Sequence, residues 1–206
     1  MRNEIAAWAG ALGIGEFELY IGGRDPHGVF AVATEVPALV IGSAVSAPLA
    51  PQYRQAVARE LFGLRRGTTV LRHRDPAEIA ALTVAAAKVA GVEIPSPPFA
   101  MLAEFQRQLG KEMPRRVRKA LPELAARIQS SRAEATSFYR AATSSLDRMA
   151  ALAAGDVSWV LCEGNAAGRG RLGASVEAQE RARRLLSFVL SPTYLSLREK
   201  LGMGLR

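Results

Sequence analysis

Two stretches decide the fold. Pro37-Ala-Leu-Val-Ile-Gly-Ser43 is a short apolar run closed by Gly42-Ser43, and Val57-Ala-Arg-Glu-Leu-Phe-Gly-Leu-Arg-Arg-Gly-Thr68 carries apolar residues at helical spacing. The first reads as a strand, Ala38–Ile41, covered on one or both faces. The second belongs to a helix that opens at Pro51, where the missing N–H costs nothing, and stops at Gly67 in the left-handed conformation. Tyr53, Ala56, Val57, Leu61 and Leu64 form its apolar stripe.

Upstream, Phe17-Glu-Leu-Tyr-Ile21 alternates apolar and polar, and Val29-Phe-Ala-Val-Ala33 is a second apolar run. Both read as strands, separated by Gly22-Gly23 and Asp25-Pro26-His27-Gly28. Downstream the chain is helical. Asp75, Pro76 and Glu78 make a capping box, followed by the stripe Ile79, Leu82, Thr83, Ala86 and Val89. Further helices are expected from Ser96-Pro97 to Gly110, from Pro114 with a break near Pro122, over 136–154, and as a pair within 176–201 split near Ser191-Pro192. The expected fold is α+β: about three strands near 17–41, antiparallel or mixed, on a helical bundle, as one domain over 1–206. Gly164–Gly173 reads as a flexible segment before the C-terminal helical pair.

Composition narrows the function. The chain has 206 residues, 49% of them apolar, enough to build a core. No apolar run reaches the ~18–20 residues that span a bilayer, and Met1-Arg-Asn-Glu-Ile opens no signal-type segment. The expectation is a cytoplasmic protein without a membrane span. The single Cys162 excludes an internal disulfide and a cysteine zinc cage, and His27 and His73 alone exclude a three-histidine site. The net charge is +8, with only Lys88, Lys111, Lys119 and Lys200 against a large arginine majority. That bias matches an Ala- and Arg-rich chain from a GC-rich bacterial genome.

One further segment completes a pattern: Thr143-Ser-Ser-Leu-Asp-Arg-Met-Ala-Ala-Leu-Ala-Ala-Gly-Asp156. The apolar strand, the 51–66 helix and this later helix, in that order, resemble the core of the gluzincin metallopeptidases of the CAAX prenyl endopeptidase and heat-shock membrane protease type. There an apolar strand precedes a zinc helix H-E-L-x-H-x-x-x-x-H, and a later helix reads E-x-x-A-D-R-x-x-L. The resemblance covers residues 17–68 and roughly 136–156. It implies that Glu60 stands at the general-base position, with Leu61, Arg65 and Gly67 on flanking positions. It also implies that Arg59 and Gly63 replace the two zinc-binding histidines, Thr68 the trailing one, and Thr143 the glutamate ligand. Asp147-Arg148 matches the family's Asp-Arg pair.

Ligand chemistry turns that resemblance against catalysis. Zinc needs about three protein donors and an open position. An arginine has no lone pair to give, glycine has no side chain, and threonine is a poor neutral donor. The expectation is a metal-free pseudoenzyme with no cofactor, Glu60 being vestigial, that acts with an unknown protein partner or as a scaffold. A hydrolase with a rearranged metal site and an anion- or nucleic-acid-binding module are the rivals.

Several residues carry narrower expectations. Glu60 shares the apolar stripe and needs a partner, with Arg148 first and Arg59 second, beside Asp147. Gly63 is expected to admit a close approach of the 136–154 helix through Ala141, Ala142, Ser144 and Ser145. Arg115, Arg116, Arg118 and Lys119 form the densest basic run. No aromatic residue interleaves them, so a solvated face outweighs nucleic-acid binding. His27 and His73 read as surface residues, Cys162 as buried and inert.

Overall fold

A computed structural model describes residues 1–72, 74–131, 134–161 and 176–203. His73, Cys162 and the 164–173 segment lie outside the described residues. The elements in chain order are α1 (Arg2–Ala11), β1 (Glu18–Ile21), β2 (Val29–Val32), β3 (Ala38–Ile41), α2 (Pro51–Arg66), α3 (Pro76–Val89), α4 (Leu102–Glu112), α5 (Arg115–Ser131), α6 (Ala135–Ala154), α7 (Val157–Leu161), α8 (Val176–Val189) and α9 (Pro192–Lys200). The fold is α+β, a small mixed sheet on helices, as the strand and helix periods require.

The sheet order is β1-β3-β2, with β1 parallel and β2 antiparallel to β3. The most apolar strand takes the centre: Leu39 and Ile41 are fully buried. Leu39 pairs with Leu19 and Ala31, and Ile41 pairs with Ile21 and Val29.

Two compact units divide the chain, one from Met1–Thr69 with Thr143–Arg206, the other Val70–Ala142. The first unit gathers Ile5, Leu39, Ile41, Leu49, Val57, Leu61, Met149, Leu152 and Leu185 into its core. Each fully buried aliphatic side chain there contributes about 1.5–3 kcal/mol. The second unit packs Ala81 and Ala85 of α3 against Phe105 of α4. Small residues on α3 let the two helices approach, and the Arg74 guanidinium lies 5.3 Å over the Phe105 ring.

The punctuation follows the local chemistry. Gly67 ends α2 at φ 66, and both Gly67 and Thr68 direct their N–H groups back to the last turn. Asp75 accepts from the Glu78 N–H while Glu78 accepts from the Asp75 N–H, closing the capping box. Three boundaries differ from expectation. The helix expected from Ser96 begins only at Leu102 and runs through Gly110, because the Pro95–Pro98 stretch disfavours helical geometry before each proline. Pro122 lies inside a continuous α5, since losing one backbone hydrogen bond does not stop a seventeen-residue helix. α1 has no counterpart in the sequence reading. Its alanines blur the apolar stripe, which consists of Ile5, Trp8 and Ala9.

Candidate functional site

The site is built from one face of α2 and one face of α6. Positions four apart share a helix face. Arg59 and Gly63 therefore stand one above the other on α2, as Thr143 and Asp147 do on α6. Glu60 is offset by one residue from Arg59 and turns toward the sheet.

Asp147 is the most deeply buried charged side chain of the described residues, 2% exposed. A carboxylate taken out of water costs several kcal/mol unless it is paired and hydrogen-bonded. Arg181 of α8 supplies both: its Nε and Nη2 each donate to one carboxylate oxygen at 2.6 Å. This fork geometry is the strongest arrangement open to the pair. The Arg59 guanidinium adds a second cation, Nη2 standing 3.6 Å from Oδ1. Two guanidinium groups thus converge on one buried carboxylate.

Glu60 has a different task. Its carboxylate accepts a hydrogen bond from the Ala31 N–H at 2.9 Å. The Gly42 N–H bonds the Gly28 carbonyl at 2.8 Å, and the alternation of an antiparallel ladder then turns Phe30 and Val32 toward β3 and Ala31 away from it. Glu60 therefore satisfies an outward N–H on the β2 edge of the sheet.

Arg148, expected beside Glu60, instead places its guanidinium 5.1 Å over the Phe188 ring of α8. At Gly63, α6 approaches through Leu146. A Cβ there would meet Thr69 Cγ2 at 3.5 Å and Leu146 Cδ2 at 3.8 Å, ordinary van der Waals contact. The neighbour from α6 is thus Leu146 rather than the small residues. Thr143 is half-buried and Thr68 buried.

Arg181 was missed by the sequence reading. One signal existed: Arg181 precedes the buried Leu185 by four residues and so shares its inward face. Its partner, 34 residues away, leaves no local trace among so many arginines.

Elsewhere, Arg115, Arg116, Arg118 and Lys119 all lie exposed in the first turns of α5. Arg118 Nη2 donates to the Gly110 carbonyl at 2.6 Å, holding the end of α4. His27 is exposed and its Nδ1 lies 2.6 Å from the Tyr53 hydroxyl. On β1 the Tyr20 hydroxyl donates to Glu18 at 2.6 Å. That hydrogen bond, with the charge of the carboxylate, pushes the Tyr20 phenol above its ordinary pKa.

The residues present do not fit a zinc ion. Arg59 brings a positive charge to the position, Gly63 brings no donor, and Asp147 is held by the Arg181 fork. Among the described residues no three His, Cys, Asp or Glu side chains cluster as a metal site, and no helix is long and apolar enough to cross a membrane. Comparison with protein-family models, with curated protein sequences and with solved structures finds no match.

Proposed function

We propose that this chain is a metallopeptidase-like pseudoenzyme that acts through protein interaction or scaffolding rather than hydrolysis. The Arg59–Asp147–Arg181 cluster carries the reading. An arginine at the first metal-ligand position, paired with the neighbouring helix's aspartate, replaces a dication by a guanidinium. Glu60 then has no metal-bound water to deprotonate, and its carboxylate serves the sheet edge at Ala31. The arginine-rich composition and the single cysteine support a bacterial cytoplasmic setting.

Zinc titration followed by elemental analysis of the desalted protein tests it. The expected result is no stoichiometric zinc, a melting temperature unmoved by zinc or chelator, and no peptide hydrolysis by wild type or Glu60→Gln. One tightly held zinc per chain, with hydrolysis abolished by Glu60→Gln, would establish the rearranged hydrolase instead. Steeply salt-dependent nucleic-acid binding, lost when Arg115, Arg116, Arg118 and Lys119 are neutralised, would establish the anion-binding module.

A further inference from the structure

α5 is a basic amphipathic helix whose apolar stripe is only half used. Val117, Leu121, Leu124 and Ile128 follow the helical repeat along one side. The part of that side turned inward holds Ala125, which is buried, with Leu121 and Ile128 half-buried. Val117 and Leu124 stay 46% and 47% exposed. Arg116, Ala120 and Arg127 are exposed as well. The spacing 116, 120, 124, 127 sets those four residues on one face, with Val117 at its edge.

The charge on the helix says what that face meets. α5 carries Arg115, Arg116, Arg118, Lys119 and Arg127 against Glu123 alone, with no acidic residue in its first turn. The cations crowd the positive end of the helix dipole and stand three and four residues apart, arrangements that cost helix stability. A face made only for water gains nothing from either, nor from leaving Val117 and Leu124 out. Arg118 is held by the Gly110 carbonyl. Arg115, Arg116, Lys119 and Arg127 bond no partner among the described residues.

We propose that the exposed face of α5 docks on an anionic lipid surface, with Val117 and Leu124 set into the headgroup boundary and Arg116 and Arg127 against lipid phosphates. A stable protein interface buries about 1,200–2,000 Å² around aromatic anchors, whereas this strip is convex and its apolar side chains are small and aliphatic. No aromatic residue interleaves the cations to stack on bases, which disfavours nucleic acid. A bilayer surface asks less: a few apolar side chains at headgroup depth and cations beside them. The net charge of +8 adds to the attraction. The helix lies on the surface, and no described helix is long and apolar enough to cross it. α5 belongs to the Val70–Ala142 unit and Asp147 to the other, so neither zinc result above bears on this docking.

Co-sedimentation of the full chain with vesicles of phosphatidylcholine alone, or with phosphatidylglycerol mixed in, tests it. Binding is expected only to the mixed vesicles and falls as salt rises. Arg116→Gln and Arg127→Gln should each weaken it about five-fold. Arg66→Gln removes an exposed charge from the other unit and should leave binding nearly unchanged. Val117→Ser combined with Leu124→Ser should weaken it about ten-fold with every charge kept. All of these positions are exposed, so circular dichroism should show unchanged folding. A chain that ignores the mixed vesicles overturns the proposal and leaves α5 to an acidic protein. Equal losses from Arg66→Gln and Arg127→Gln overturn it by showing a diffuse charge effect. Indifference to the serine pair overturns it too, and binding of single-stranded RNA lost in the same arginine variants would then assign the face to nucleic acid.

Discussion

The sheet has a closed side and an open side, with one strand, β3, between them. At β2 the outward N–H of Ala31 meets the Glu60 carboxylate of α2. At β1 the Glu18 and Gly22 N–H groups bond the Pro37 and Ile41 carbonyls, so the ladder turns the backbone groups of Leu19 and Ile21 outward, where they meet nothing described. On the closed side Glu60 is spent on a backbone donor, and behind it on α6 Asp147 is spent on Arg59 and Arg181. On the open side, Glu16 and Arg24 remain uncommitted. The charged groups of the first region are held in internal hydrogen bonds and ion pairs. The second region carries no motif and holds the free hydrogen-bonding capacity.

The sharpest way to break this contrast is to open the closed side. Asp147→Ala is expected to lower unfolding stability by about 3 kcal/mol, read by urea denaturation. It removes the carboxylate on which Arg59 and Arg181 converge. A loss below the scatter of the measurement would mean the cluster is not structural.

Glu60 comes next. Glu60→Leu leaves the Ala31 N–H without an acceptor and is expected to cost about 1–3 kcal/mol. Glu60→Gln keeps an acceptor and costs less. Native-state hydrogen exchange adds a local reading. The Ala31 amide should be protected in wild type and lose protection in Glu60→Leu, while the Leu19 and Ile21 amides exchange quickly. Equal protection at both edges would erase the distinction between them.

Gly63 gives a smaller effect of opposite sign. The site accepts a Cβ at ordinary distances, so Gly63→Ala should stabilise by about 0.5–1 kcal/mol. Destabilisation would show that the two helices sit closer than Leu146 and Thr69 indicate. The smallest effect lies on the open side. A spectrophotometric titration should find Tyr20 above the ordinary phenol range, returning toward it in Glu18→Gln, since the carboxylate is the main cause.

What could be read beforehand was local. β3 was legible because four consecutive apolar residues between Pro37 and Gly42 admit little else. The Asp75–Glu78 cap and the Gly67 stop were legible because each is a bonding requirement within a few residues. α1 was not, because alanine satisfies a helix without marking a face. Within the site, the burial of Glu60 was legible because it shares the apolar stripe of α2. The identity of the pairs was not. Arg148 and Arg181 are chemically alike, and only the packing of α6 against α8 decides that one covers Phe188 while the other grips Asp147. The task of Glu60 depends on strand register, which fixes whether Ala31 points inward or out.

The grip of Arg181 on Asp147 ties together two stretches of chain far apart in sequence. Tyr194 and Arg198 add bonds from α9 to the Ala151 and Leu152 carbonyls of α6. The C-terminal helices are thereby stapled without a covalent link. A protease that severed the backbone between α7 and α8 would leave two fragments that migrate together under native conditions and part only in denaturant.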